Sequence, residues 1–479
     1  MICKNRVRSG RACKAEDLSM LSFRWNRWQS ARAIAATRGT VLFCSCIALA
    51  LTASTALAQI VNPFRSEEAR PTSPEDLELV PLPQPEAVVE PCGLSLADLE
   101  AMAVANNPTL TIAWARINAA RGRQVQSGLY PNPMFGYVSQ DIGEDGTAGQ
   151  HGGYVSQQFI TGKKLQLNRA MGSREVREQR FLFDAQELRV LSDVRLRYFD
   201  ALAAQRRVEL TAELTQVSGQ LADNSRQLLE AQQIAQSDLL QAEIEVEEAQ
   251  ILAANASNER QEAWRRLAAV VGVSALEPSP LAGSLDGDLP SYEWDEVFCA
   301  VMAQQPQLAA ATARIERARI AIARARKENI PDVTVMTMLT HMNQTHDDVV
   351  GVQAGIPIPV LNQNQGNIMA SHAELTAAAN NLRRIELDLQ DRLAMAFRRY
   401  ANARQQVDRY RNEILPRADK SIDLVGEGYR VGQVDFLALL TSQRTFIRVN
   451  IAYVDALSEM RQAATLIEGQ LLSDSLQAE

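Results

Sequence analysis

The chain has 479 residues, a formal charge of −8, and 46% hydrophobic but only 5% aromatic residues. So few aromatic side chains are unusual for large globular cores, whereas abundant Ala, Gln, Arg, Glu and Leu is typical of long helices and coiled coils. The acidic balance argues against a nucleic-acid-binding protein.

The N-terminus has the pattern of a secretory signal peptide. Residues 41–58 form an apolar run that follows an arginine-rich lead and ends on Ala56-Leu57-Ala58, a small-x-small cleavage signal. We therefore predict a signal peptide over residues 1–58, with Met20 as an alternative start of translation. A membrane anchor fits less well, because the apolar run is short and ends on a cleavage signal. A lipoprotein signal ending at Cys46 also fits less well, because the apolar run continues well past that cysteine. Cleavage removes nine basic and two acidic residues, which moves the formal charge from −8 to −15.

The rest of the chain consists of a proline-rich segment and two similar halves. Residues 59–93 carry many prolines among acidic residues, which predicts an extended N-terminal segment. Beyond it, a shift of 198 residues superposes Pro108 on Pro306 and Pro133 on Pro331. A shift of 197 residues aligns residues 230–242 with 427–439. We predict two tandem repeats, residues 94–290 and 291–479. Cys92 and Cys299 are the cysteines that remain after cleavage, and the sequence assigns them no role.

Each repeat is predicted to contain a helix, two extended segments and a long helical hairpin. The helices are expected over residues 96–127 and 294–328, and the extended pairs over 134–141 and 153–161, then 332–341 and 349–358. A glycine-rich turn should join the first pair. The hairpins should have arms of about 65 and 35 residues, the longer reaching about 100 Å. Pro416 should bend the second long arm. Ser237 and Asp238 are candidate helix caps at the break in the first hairpin, and Asp435 is a candidate cap beside a turn at Gly432 in the second.

Prolines mark the points where helices give way to strands. Pro131 and Pro133 in the first repeat and Pro331 in the second are predicted to switch the chain from helix to strand. Each extended segment has about nine residues, close to the 9–11 that a tilted strand needs to cross a bilayer. A sheet edge cannot face lipid, and four strands are too few for a closed barrel, so three chains would together supply twelve strands. An ordinary helix-to-strand turn in a soluble α+β protein is the alternative.

Several motifs together resemble the outer membrane efflux proteins of the TolC type. They are NNPTL, SGLYPNPMFGYVSQ and QFITGKKLQLNRA in the first repeat, and QQPQL, GIPIPVLNQNQGNI and GYRVGQVDFLALLTSQ in the second. The LYPNP and GKK signatures are most similar to the CzcC-like branch, whose best-known members export heavy-metal cations. The resemblance implies a mainly α protein with a small transmembrane β part, a trimeric twelve-stranded barrel continued by a helical periplasmic barrel. It further implies an outer membrane exit duct that works with a periplasmic adaptor and an inner membrane pump of the RND type.

The resemblance also assigns positions at the two hairpin tips. Adaptor-docking residues carried over by position are Ile234, Ala235, Gln236, Ser237, Tyr429, Val431, Gly432, Gln433 and Val434. TolC itself has acidic rings at its periplasmic entrance six and nine residues after the tip glycine, where this chain has Ala438 and Thr441. A cation gate must therefore use other residues, with Asp238 and Asp435 as candidates.

The sequence predicts neither an enzyme nor a bound cofactor or structural metal. It has no nucleotide-binding glycine loop, no zinc-spaced Cys or His pairs and no activated nucleophile. His341, His346 and the nearby methionines are read as strand and loop side chains rather than a metal relay, because strand alternation separates His341 from Met336 and Met338. The glutamates from Glu243 to Glu248 are read as a solvated helix face that contributes in part to a cation-attracting lumen.

Two alternative functions stay open at this point. The same fold would serve as the exit duct of a drug efflux or type I protein secretion system, because the partner pump selects the cargo. A soluble periplasmic coiled-coil adaptor or scaffold is the other alternative, and two hairpins with four isolated strands argue against it.

Overall fold

The computed structural model describes residues 93–477, except for residues 145–146, 231, 233 and 432. The predicted signal peptide, nearly all of the proline-rich segment, Cys92 and Gly432 lie outside the described residues. The described chain is mainly helical with a small antiparallel sheet, as predicted, and its elements occur twice in the same order. The first repeat contains α1 (Leu96–Asn106), α2 (Pro108–Gln126), β1 (Met134–Glu144), β2 (Thr147–Phe159), α3 (Lys164–Glu230) and α4 (Gln236–Val271). The second contains α5 (Trp294–Gln304), α6 (Pro306–Lys327), β3 (Val333–Met342), β4 (Asp347–Gly355), α7 (Gln365–Arg409), α8 (Leu415–Arg430) and α9 (Phe436–Glu468).

The first predicted helix of each repeat is in fact two helices, so the prediction of one continuous helix was wrong. Asn107 and Gln305 have extended backbones, and the following prolines begin α2 and α6. Proline lacks the amide that a continuous helix would need, but it fits the first turn of a new one. The side chains of Asn107 and Gln305 are buried and donate to the carbonyls of Val270 and Gln470, both at 2.8 Å. Each helix break is thus hydrogen-bonded to the C-terminal part of its own repeat.

The long hairpins have the predicted proportions. Helix α3 has 67 residues and α4 has 36, and at 1.5 Å per residue α3 is about 100 Å long. In the second repeat α7 passes into α8 through a π turn at Tyr410–Ile414, and α9 returns over 33 residues. The π turn ends two residues before Pro416, whose missing amide interrupts regular helical hydrogen bonding there. The irregularity predicted at Pro416 therefore takes the form of a π turn.

The strands form one sheet in the order β1-β2-β3-β4, with every neighbouring pair antiparallel. The pairing of β2 with β3 joins the two repeats. Most of the predicted glycine-rich turn is strand instead, since β1 runs to Glu144 and β2 begins at Thr147. Gly152 explains part of this difference, because a Cβ there would lie only 1.9 Å from the Leu339 carbonyl oxygen. The glycine permits close approach of β2 and β3 rather than a turn.

The main core lies where the helices of the two repeats pack together. Its most buried members come from α1, α3, α4, α7 and α9 and include Leu99, Val194, Leu267, Leu393 and Ala463. A separate small cluster lies near the hairpin tips and consists of Leu221, Ala222, Ala242, Leu439 and Leu440.

Within the described ranges, every helix falls short of the combined length and apolarity that a membrane-spanning helix needs.

Candidate functional site: the sheet and the hairpin tips

One face of the sheet carries exposed apolar side chains in aligned rows. Phe135, Val155, Thr337 and Val352 are successive cross-strand partners and form the first row. The second row consists of Tyr137, Gly153, Leu339 and Val350. Phe135 is 80% exposed and Val352 is 72% exposed, although apolar residues in strands normally face a core. A contiguous exposed apolar face of this kind is typical of contact with lipid or with another protein.

The opposite face of the sheet is more polar and less exposed. Gln150 donates to the Thr340 hydroxyl at 2.8 Å, and Thr340 is buried. Tyr154 lies over Gly136, where a Cβ would come within 2.5 Å of the tyrosine ring. Met336 and Met338 belong to this face, whereas His341 belongs to the apolar face, because residues separated by an odd number alternate sides. The alternation that was predicted to separate His341 from the methionines is therefore present.

The outer strands β1 and β4 are the edges of the sheet. Each edge presents one row of backbone N–H and C=O groups that face away from the sheet. The strands have 11, 13, 10 and 9 residues, enough for each to cross a bilayer when tilted.

The predicted switch prolines lie between helix ends and strand starts. Pro131 and Pro133 fall between the end of α2 and Met134, and Pro331 falls between the end of α6 and Val333. The Pro131 carbonyl accepts a hydrogen bond from the Gln157 side chain at 2.9 Å, and the Pro331 carbonyl accepts one from the Thr161 hydroxyl at 2.6 Å. The prolines are thus held against β2 and the connection that follows it.

A buried ion pair closes the junction between the two repeats, and the sequence reasoning missed it. The ammonium group of Lys164 lies 2.9 Å from an Asp332 carboxylate oxygen, and the lysine side chain is only 3% exposed. The same carboxylate oxygen accepts a hydrogen bond from the Thr161 amide at 2.9 Å. Burial alone would raise the pKa of Asp332, but the Thr161 amide and Lys164 together lower it below its ordinary value. The GKK motif contains Lys164, and its burial was not evident from spacing.

The tip of the first hairpin is a tight, exposed turn. Gln232 has a left-handed backbone with φ of 58°, and Ala235, Gln236 and Ser237 are exposed. Ala235 occupies the N-cap of α4, and the Asp238 carboxylate accepts a hydrogen bond from the Ala235 amide at 3.3 Å. The N-cap lies two residues before Ser237 and three before Asp238, so the prediction that these residues occupy the cap position was wrong, although Asp238 accepts the hydrogen bond of the cap amide. Ile234 is half-buried beside them.

The tip of the second hairpin has the predicted cap. Asp435 is the N-cap of α9, and its carboxylate accepts a hydrogen bond from the Ala438 amide at 2.9 Å. The Gln433 amide donates to the Gly428 carbonyl at 2.9 Å, which closes the turn. Val431 and Gln433 are exposed, whereas Tyr429 and Val434 are half-buried.

The structure brings parts of the two tips together. Tyr429 packs against the small apolar cluster near the tips, and burial followed by the nearby Asp238 carboxylate raises the pKa of its phenol above the ordinary range. Both gate candidates, Asp238 and Asp435, also hydrogen-bond to the backbone of a first helical turn. Ala438 and Thr441, the positions of the acidic rings in TolC, lie in the first two turns of α9.

A second pairing missed from the sequence connects α4 with α9. Arg444 donates through Nε to the Glu245 carboxylate at 2.6 Å, makes a further contact through Nη2, and also reaches Glu248 at 3.2 Å. Glu245 is only 6% exposed. The signal was present in the spacing, because Glu245 lies between the buried Ala242 and Ala249 on the inward stripe of α4.

The acidic run of α4 is thus not a simple solvated face. Glu243 lies 3.2 Å from Arg226 of α3, and Glu245 and Glu248 both pair with Arg444. Glu247 and Glu248 are exposed. The interpretation of all four glutamates as a solvated face was wrong for Glu245. Residues two positions apart on a helix point in different directions, so Glu243, Glu245 and Glu247 cannot share one face.

Among the described residues, no group of three or more His, Cys, Asp or Glu side chains is arranged to hold a metal ion. Cys299 lies on the exposed side of α5.

Comparison with protein families and sequences gives a consistent result. Residues 300–468 match the family described as outer membrane efflux protein. The chain is 24% identical over 379 residues to the cobalt-zinc-cadmium resistance protein CzcC of Cupriavidus metallidurans, covering 78% of this chain and 89% of that protein.

Solved structures share the fold. The chain is similar to CusC with a TM-score of 0.66 and 16% identity, covering 81% of this chain and 95% of that chain. It is also similar to the open state of the MtrE outer membrane channel of Neisseria gonorrhoeae, with a TM-score of 0.65 and 17% identity, covering 80% of this chain and 91% of that chain.

Proposed function

Since the chain belongs to the outer membrane efflux protein family and is an efflux channel of the outer membrane and periplasm, we propose that it is the passive exit duct of a tripartite efflux system for heavy-metal cations. Membership of a family of channels also confirms that the protein is not an enzyme. In the proposed system an RND-type inner membrane pump and a periplasmic adaptor deliver the cargo, and this protein supplies the water-filled path out of the cell.

The exposed apolar face of the sheet is the observation that carries the proposal. Rows such as Phe135, Val155 and Val352 would be unstable in water but are suited to lipid. The backbone edges of β1 and β4 have to be satisfied there, because each unpaired group costs several kcal/mol in hydrocarbon. Three chains that pair β4 of one copy with β1 of the next would close a twelve-stranded barrel and leave no edge.

Fractionation of the cell envelope tests this part of the proposal. We expect the protein to stay in the outer membrane after a high-salt wash, to require detergent for release and to run as a trimer on a seminative gel. A protein that washes off with salt as a monomer would instead be the soluble adaptor or scaffold.

We further propose that the exposed hairpin tips dock onto the adaptor. Support comes from the exposure of Ala235, Gln236, Val431 and Gln433 at the ends of two long hairpins, about 100 Å along the helices from the sheet. Gly432→Arg should abolish export without preventing trimer formation. The matched control is Gly122→Arg, because Gly122 is an exposed helical glycine of α2 with open space around it. Normal export by Gly432→Arg would exclude a docking role for the tip.

The proposed cation gate involves Asp238 and Asp435, which lie at the hairpin tips. Their carboxylates would concentrate cations at the periplasmic entrance. The test is single-channel conductance of Asp238→Asn and Asp435→Asn proteins in lipid bilayers. A fall in cation over anion selectivity is expected, and unchanged selectivity in the double variant would assign the gate to other residues.

The cargo proposal rests on the similarity to a protein named for cobalt, zinc and cadmium resistance. A deletion strain should become sensitive to these cations, and the wild-type gene should restore growth. Sensitivity to organic drugs with unchanged metal tolerance would favour drug efflux, and loss of a secreted protein would favour type I secretion.

A further inference from the structure

Three of the four histidines of the chain gather at one end of the sheet, although His151 is far from the other two in sequence. His151 lies on β2, His341 on β3 and His346 in the turn that follows β3. His151 and His341 are direct cross-strand partners, and their ring centres are 5.9 Å apart. His341 and His346 have ring centres 6.4 Å apart. The fourth histidine, His372, lies on α7 and contacts Arg326.

The next strand adds a carboxylate to the same row. Asp348 on β4 is the cross-strand partner of His341, and its carboxylate lies 2.9 Å from Nδ1 of His341. This contact favours the tautomer in which Nδ1 carries the proton and donates to Asp348, so that Nε2 has a free lone pair. A carboxylate that fixes a histidine in this way is the usual companion of a metal-binding imidazole.

The spacing of the two rings suits a shared metal ion. Two imidazoles that bind one ion at about 2.0–2.1 Å with a tetrahedral angle have ring centres roughly 5 Å apart. His151 and His341 therefore need to approach by about 1 Å, which small side-chain rotations provide. The His341 side chain is 39% exposed, so water can fill the remaining coordination positions.

We infer that His151 and His341 form a two-histidine surface site for a borderline divalent cation such as Cu²⁺, Ni²⁺ or Zn²⁺, with Asp348 as the positioning residue for His341. Neutral imidazole is a preferred ligand of these ions. The site lies on the face of the sheet that carries the apolar rows, directly beyond the row of Tyr137, Gly153, Leu339 and Val350. It is therefore distinct from the Met336 face and from the hairpin tips. The inference depends on the local geometry of three strands and not on the proposed transport function.

Copper binding to the detergent-purified full-length chain tests the inference. Cu²⁺ is the probe because it forms the strongest complexes of the divalent first-row ions. Isothermal titration in a non-coordinating buffer should show a site that is weakened at least about tenfold in His151→Asn and in His341→Asn. Electron paramagnetic resonance should show nitrogen splittings from two imidazoles in the wild type and their loss in both variants.

Three further variants sharpen the test. His372→Asn is the matched control and should bind Cu²⁺ like the wild type. Asp348→Asn removes no metal ligand and should weaken binding by about tenfold while the nitrogen splittings persist. His346→Asn should have a smaller effect than His151→Asn, because His346 lies outside the row.

Several outcomes would overturn the inference. They are the absence of Cu²⁺ binding by the wild type, wild-type affinity in the His151→Asn/His341→Asn double variant, or a larger loss in His346→Asn or His372→Asn than in His151→Asn. Far-ultraviolet circular dichroism of each variant verifies that the sheet and helices are retained, so that lost binding reports the site. Export assays are a separate readout, since a failed transport function would leave this result unchanged.

Discussion

The two connections from strand to helix occupy equivalent places in the two repeats, yet they are built differently. After β2 the chain turns within residues 160–163, using left-handed backbones at Gly162 and Lys163, and enters α3 at the buried Lys164. After β4 it takes residues 356–364 to reach α7, and this longer connection exposes Ile356, Ile358, Val360 and Leu361.

The difference follows from what each connection packs against. The first adjoins the start of β3 of the same chain, where Asp332 binds the Thr161 amide and the Lys164 ammonium group. The second follows edge strand β4, and its apolar side chains are exposed in the single chain. The first junction is therefore complete within one chain, whereas the second has the surface expected of a contact between copies.

Removing the buried carboxylate should have the largest effect on the first junction. Asp332→Ala leaves the Lys164 ammonium buried without its partner, and loss of one member of a buried pair costs about 3–5 kcal/mol. We expect a fall of this size in the free energy of unfolding, measured by urea titration in detergent with circular dichroism.

The equivalent change in the second connection is Asn362→Ala, which should shift the free energy of unfolding by less than about 0.5 kcal/mol. Equal losses of unfolding free energy in Asp332→Ala and Asn362→Ala would mean that the two connections contribute equally to stability, which would contradict the proposed difference between them.

Substitution of the glycine at position 162 should have the next largest effect on stability. Gly162 has φ of 66°, and a Cβ there would lie 3.2 Å from Ile330. Gly162→Ala should cost about 1–2 kcal/mol, because left-handed backbone is unfavourable for residues with a Cβ. Gly355→Ala, at the end of β4, meets open space and should stay within about 0.5 kcal/mol of the wild type. Thermal melts of the paired variants measure both, and a tolerated Gly162→Ala would show that the tight turn can relax.

Acid should weaken the first junction selectively. The pKa of Asp332 is below its ordinary value in the folded chain, so its ionised form stabilises the fold at pH values above the ordinary carboxyl range. This contribution is lost as the pH falls through the ordinary value toward the lowered one. Melting temperatures of the wild type should therefore fall more steeply than those of Asp332→Asn between pH 6 and pH 3. Parallel curves would assign the acid sensitivity to other carboxylates.

The smallest effect on the stability of a single chain is expected in the exposed connection. Ile358 is 76% exposed and Leu361 is 89% exposed, so Ile358→Gln and Leu361→Gln should change the free energy of unfolding of one chain by less than about 0.5 kcal/mol. If these side chains contact a neighbouring copy, the proposed trimer should dissociate at a lower temperature on a seminative gel. Leu182→Gln, at an exposed leucine of α3, is the control. An unchanged trimer would place the contact between copies elsewhere.

Much of the fold could be predicted from local patterns. The arms of about 65 and 35 residues, the irregularity before Pro416, the Asp435 cap and the placement of strands after Pro133 and Pro331 follow from periodicity and backbone restrictions. The prediction failed where one local sequence pattern is compatible with two different structures. Pro108 and Pro306 begin second helices instead of lying within one, and the glycines near residue 152 allow close strand pairing instead of a turn.

The candidate site was less accessible from the sequence. The tips could be placed by position, but the burial of Glu245 against Arg444 depends on how α4 packs on α9. The adjacency of His151 and His341 depends on the register of β2 with β3. Both pairings join residues about 190 to 200 positions apart, and no local propensity encodes such a pairing.

The sequence by itself determined the order of helices and strands, the lengths of the hairpin arms and the repetition of the pattern, because helix and strand formation respond to nearby side chains, prolines and glycines. Only the tertiary structure decided which strands became neighbours, which charges became buried and which apolar face stayed exposed. These outcomes arise from packing between distant segments, where burial and pairing set the free energy.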